Sequence, residues 1–164
     1  MSTVRDYYRD HRSWDDDLHK LLDKEPGLLA QLPGLRARAL ACCGAEPSTK
    51  NGEIKLVVAD PAGWDKIAGE QAAVQQKLDA INKMVEVLDG IFAEMEAAGI
   101  EADDRTIRGI WSIEESRRTL VTHPDTGTTS DPWGHPVPQK RDAKLVAWGE
   151  AAEKALKEAQ ATVG

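Results

Sequence analysis

The sequence predicts a mainly α protein. A long heptad-patterned helix packs with N- and C-terminal helices, and a small β element lies near residues 53–59 and 105–123. Three observations carry that prediction. From Trp64 to Met95, apolar residues recur alternately three and four positions apart, with only Gln71 out of character, which is the spacing of a helix packed lengthwise against other helices. Amphipathic helical stripes precede and follow that seam. A short β-rich run, Ile54 to Val58, stands between them. At 164 residues, with 41% hydrophobic and 30% charged residues, the chain is long and apolar enough to bury a real core. Trp is five-fold commoner than Phe, so the five Trp residues are expected to dominate buried aromatic area.

Taken in order, Val4, Tyr7, Tyr8, His11, Trp14, Leu18, Leu21 and Leu22 line one face of a helix expected from about Thr3 to Glu25. The Asp15-Asp16-Asp17 run falls mostly off that stripe and reads as solvated surface. Pro26-Gly27 punctuates the chain, and Pro33-Gly34 interrupts the leucine-rich stretch that follows, so a short turn of helix and then a second helix near Leu35 to Cys43 are expected. Residues 44–52 read as a loop and the best hinge between an N-terminal helical segment, 1–43, and the remainder, 53–164, with one integrated domain, 1–164, as the alternative. Glu53 to Ala59 has the length and β-propensity of a strand.

Asp60-Pro61 is a helix start, because Asp suits the N-cap and Pro the first helical position. The helix is expected to reach about Ala98 and stop at Gly99. It would span roughly 55 Å at 1.5 Å per residue, more than a compact domain of this size, so it either protrudes or breaks at Gly69 or Gly90. Its g positions turn apolar at Met84 and Ile91, and no e/g charge code is present. A helix touching two or more neighbours therefore fits better than a two-stranded zipper. The stretch from Thr106 to Thr122 reads as a β-hairpin turning near Glu115 and Ser116 and pairing with the strand at Leu56, with a helix as the competing reading. After a Pro- and Gly-rich loop at 124–138, an alanine-rich helix from about Lys140 to Ala161 carries Leu145, Trp148, Ala152, Leu156, Ala159 and Val163 on one face.

Chemistry is sparser. Net charge is −7, which disfavours nucleic acid and anionic membranes as partners, and the only compact basic pairs are Arg36 with Arg38 and Arg117 with Arg118. No apolar run is long enough for a membrane span or a secretory signal, so a cytoplasmic setting is expected, in which the adjacent Cys42 and Cys43 stay as buried thiols. His123, Asp125, Asp131 and His135 form the one cluster of metal-ligand types, although their spacing matches no standard ligand pattern. His19 and His11 share the first helical segment without a ligand pattern. Phosphate-loop, dinucleotide, nucleophile-elbow and zinc-protease motifs are absent from the sequence, and no cofactor is expected.

The function expected from the sequence is a non-enzymatic association protein: a structural or assembly component, adaptor or accessory subunit. It would pack through the 64–95 seam on other protein chains, as a homo-oligomer in the first instance. Leu78, Ile81, Val85, Leu88 and Phe92 would carry the contact, with Trp133 as an exposed anchor. Two alternatives stand beside it. One is a small metal-binding protein or enzyme using the 123–135 loop, and the other is a regulatory binder using the N-terminal helices.

Overall fold

A computed structural model describes residues 3–10, 17–47, 52–99, 121–122, 129–130, 136–137 and 143–164. The architecture is mainly α. Helix α1 spans Val4–Asp10, α2 Asp17–Ala41, α3 Pro61–Ala97 and α4 Ala143–Val163. Strands β1 (Cys43–Pro47) and β2 (Ile54–Val58) form an antiparallel hairpin between α2 and α3. Three two-residue strands, β3 (Val121–Thr122), β4 (Thr129–Ser130) and β5 (Pro136–Val137), make a second antiparallel sheet in the order β3-β4-β5.

The long helix is continuous over 37 residues, and its ends are where local chemistry sets them. The Asp60 carboxylate accepts from the Gly63 amide at 3.1 Å, satisfying one of the orphan donors of the first turn, with Pro61 at the first position. At the far end Gly99 adopts φ +72°, the left-handed conformation that closes a helix and favours glycine. Gly69 and Gly90 do not break it. Both are exposed, and a Cβ at either would meet nothing, so each costs about 1 kcal/mol of propensity without opening the packing.

The chain covers the seam itself. Ile81, Met84, Val85, Leu88, Ile91, Phe92 and Met95 share one core with Val4, Tyr7 and Tyr8 of α1, Leu18 and Leu21 of α2, and Trp148, Ala152, Ala155, Ala159 and Val163 of α4. The apolar flank at Met84 and Ile91 is thus filled by a second neighbour, as its width requires. Trp148 Nε1 donates to Glu94 Oε2 at 2.6 Å, and Lys83 faces Glu158 at 3.7 Å, so α4 runs antiparallel to α3. Its alanines let the two helices approach closely. At the start of α1, the Val4 amide donates to Asp89 Oδ1 at 2.7 Å, so a carboxylate on α3 caps the first turn of its neighbour. His19 is buried, with Nε2 at 3.0 Å from the Tyr8 carbonyl and its ring edge-on to Tyr8, which makes it a core residue.

The bundle thins toward the start of α3. Gly164, the residue after α4, meets Lys24 on α2. Earlier in α3, Ile67, Val74 and Leu78 cluster with Leu35 and Cys42 among the described residues, supported by Leu28, Leu32 and Ala39. Among the described residues, two helices and the hairpin make up this end, and Trp64, a seam residue one turn into α3, is 38% exposed.

Three expectations are corrected. The helix expected over Thr3 to Glu25 is two elements, α1 ending at Asp10 and α2 starting at Asp17. Next, α2 does not stop at Pro26 or Pro33 but runs through both. The two prolines are seven residues apart and both exposed, so they share the outer face, where water can serve the carbonyls of Leu22 and Leu29 that lose their N–H partners. The inner face, with Leu18, Leu21 and Leu35 buried, holds the helix down. Last, the partner of β2 is β1, drawn from a stretch read as helix end and loop, and Val121–Thr122 pairs with β4 instead. Residues 105–120 lie outside the described residues.

Candidate association surface

The hairpin grows directly from the helix ends on either side of it. The last turn of α2 closes with the Cys42 amide on the Ala39 carbonyl at 3.1 Å. The thiols of Cys42 and Cys43 lie 3.5 and 3.6 Å from the carbonyls of Arg38 and Ala39, as weak donors to acceptors the helix cannot itself satisfy. The Cys42 carbonyl then accepts from Ala59 at 2.8 Å and Asp60 at 3.0 Å, which ties the entry of α3 to the exit of α2. Cys42 Sγ would sit 3.1 Å from a Cβ at Gly63, and that Cβ would also collide with the Asp60 carboxylate, so the junction needs a glycine there.

The register Cys43↔Val58, Ala45↔Leu56, Pro47↔Ile54 sorts the hairpin by face. Alternate residues of a strand share a side, so Ile54, Leu56 and Val58 line one face, with Cys43 and Ala45 across from Val58 and Leu56. The opposite face carries the directly apposed Glu46 and Lys55, and Val57 beside Gly44. The apolar face is open: Ile54 is 76% exposed, Leu56 65% and Val58 42%. Leu40, near the end of α2, is 63% exposed at the same end of the molecule as Trp64. A two-stranded ribbon with an uncovered apolar face is marginal by itself, and contiguous apolar surface of this kind marks an interaction site.

This end is also electrically unlike the rest. Residues 36–70 carry five Lys and Arg against five Asp and Glu, while the whole chain is at −7. Arg38 holds Glu70 through both guanidinium nitrogens at 2.6 and 3.3 Å. That hydrogen bond lowers the Glu70 carboxyl below the ordinary carboxylate range and raises Arg38 further above its own. The pair joins α2 to α3.

The contact expected from the seam is relocated. Leu78, Ile81, Val85, Leu88 and Phe92 are all buried by the chain's own helices, so they serve as core. His123, Asp125, Asp131, His135 and Trp133 lie outside the described residues. Among the described residues, no three His, Cys, Asp or Glu side chains are grouped to hold a metal, and no helix is long and apolar enough to cross a membrane. The exposed face of β2 escaped sequence reasoning although its signal was present: Ile54, Leu56 and Val58 alternate at period two. What the sequence concealed was the strand's partner. Cys43 to Pro47 has little β-propensity, so the depth of cover over β2 was not legible. No protein-family model matches this sequence, no curated protein matches it, and no solved structure matches its fold.

Proposed function

We propose that this chain is a non-enzymatic association protein, a structural component, adaptor or accessory subunit, which engages other protein chains in the cytoplasm through its hairpin end. The observation that carries the reading is the exposed apolar face of Ile54, Leu56 and Val58. Covering what those three side chains leave exposed would contribute roughly 3–5 kcal/mol. Association costs about 4–15 kcal/mol in lost freedom and ordering. The side chains alone therefore fall short of a stable complex, and a partner must also draw on Leu40, Trp64 or the strand's own main chain.

Photo-crosslinking in cells tests this. A benzophenone amino acid replaces Leu56 in one variant and Ala73, on the exposed side of α3, in another. Adducts to protein chains are expected from position 56 and not from 73, and they should vanish when Ile54 and Val58 are both changed to Lys. A chain that gives no position-specific adduct from 56 would overturn the reading.

A further inference from the structure

Building on that association reading, we propose that the partner is a second copy of this chain. The contact is a two-fold antiparallel pairing of β2 with β2 of the other copy, centred on Leu56, which joins two hairpins into one four-stranded sheet.

The ladder inside the hairpin decides which main-chain groups are free. The Ala59 amide donates to the Cys42 carbonyl, which makes 42 and 59 a hydrogen-bonded pair. Antiparallel pairs alternate, so 44 with 57 and 46 with 55 are the next bonded pairs. The N–H and C=O groups of Ile54, Leu56 and Val58 therefore point away from β1, to the outer edge of β2. No described residue pairs with that edge. Three consecutive outward positions, all apolar and on one face, make a free template for a strand.

Self-pairing about Leu56 uses all of them. Leu56 faces Leu56 of the other copy, Ile54 faces its Val58, and each pair is of the hydrogen-bonded kind. Lys55 faces Val57, so no like charges are directly opposed. Shifting the two-fold axis to Lys55 would set Lys against Lys, which is unfavourable. In the Leu56 register the two apolar faces merge on one side of the enlarged sheet, and the main-chain bonds add what the side chains alone lack. Charge also favours this approach over others: residues 36–70 are neutral, so two copies meet by the end that holds none of the −7.

The opposite edge explains why the pairing closes. The same alternation turns Cys43, Ala45 and Pro47 outward on β1, and Pro47 has no N–H to give. An edge blunted by proline does not extend the sheet, so an isologous dimer forms where an open ribbon would otherwise grow.

The test is a charge swap at the axis, using the purified full chain. Leu56 is already largely exposed, so Leu56→Lys and Leu56→Glu leave the monomer folded, which circular dichroism checks. Light scattering over about 1 μM to 1 mM follows dimerisation. The wild type should dimerise within that range, each variant alone should dimerise at least roughly tenfold more weakly, and an equimolar mixture of the two should recover most of the loss. Only a contact that sets residue 56 against itself gives recovery by mixing. A dimer that ignores both variants, or a mixture no better than its components, overturns the proposal. So does a wild type that stays monomeric, and slow amide exchange at Ile54, Leu56 and Val58 in that monomer would assign the edge to cover within the chain. Position-specific crosslinks from residue 56 to a different polypeptide, with a monomeric wild type, would overturn the second copy and leave the association reading standing.

Discussion

Val85→Asp separates a seam that is core from a seam that is a contact between chains. Val85 is 4% exposed and sits among α1, α2 and α4 side chains. Removing the valine forfeits about 2 kcal/mol of burial. An aspartate there must be neutral, and keeping it protonated at pH 7, about three units above its usual value, costs about 4 kcal/mol. The neutral carboxyl, still without a designed partner, adds about 1–3 kcal/mol. The total of roughly 7–9 kcal/mol is comparable with the whole stability of a domain, about 5–15 kcal/mol. The variant should therefore lose its cooperative urea transition, followed by far-UV circular dichroism, at neutral pH. The loss should shrink toward about pH 4, because a carboxyl whose folded pKa is raised binds more protons folded than unfolded, so the penalty grows with rising pH. A variant that unfolds within about 1 kcal/mol of wild type would show that Val85 is not sealed inside the monomer, and the internal assignment of the seam would fall.

Other substitutions probe single links in the argument. Asp60→Ala should lower stability by about 1 kcal/mol while Asp60→Ser retains most of it, since either oxygen can accept from Gly63; equal losses in denaturant titrations would remove the cap from the account. Pro33→Ala should raise stability by roughly 1–3 kcal/mol, because it restores a helical N–H on the exposed side of α2, and a lower urea midpoint would mean that the proline shapes the helix usefully. Trp148→Phe should cost about 1.5–3 kcal/mol, and the cost should fall in a Glu94→Gln background if the indole–carboxylate bond is responsible. Glu70 is held below its ordinary value of 4.5 by the hydrogen bond from Arg38, so its contribution is full above that value and disappears as pH falls through the lower folded one. The stability gap between wild type and Glu70→Gln should be constant above about pH 4.5 and close in acid, and a gap that widened in acid would contradict the pairing. Asp6, held down first by the Thr3 hydroxyl and helped by Arg9, follows the same sign.

What was legible in the sequence was what is decided within a few residues or by a sustained period. Asp60-Pro61 and Gly99 bounded the long helix because capping is local, and Gly69 and Gly90 were tolerated because they fall on the solvent side of an otherwise consistent stripe. Trp148, Ala152, Ala159 and Val163 read as one face and are buried as one. Pro26 and Pro33 misled for a related reason. Their local cost is real, but the burial of Leu18, Leu21 and Leu35 on the other face outweighs it, and that gain comes from α3 rather than from the segment itself.

The sequence by itself determined that a long apolar seam had to be covered, where its helix began and ended, and that a strand lay within Glu53 to Ala59. Only the tertiary structure decided who covers each. The leucines of α2 and the alanines of α4 close the seam from Ile81 onward, Leu35 and Cys42 close it at Ile67, Val74 and Leu78, and Cys43 to Pro47 takes one edge of β2 while its apolar face stays open. The physical reason is that periodicity states how much surface must leave water but carries no address. The address depends on contacts between segments tens of residues apart, which no local pattern encodes.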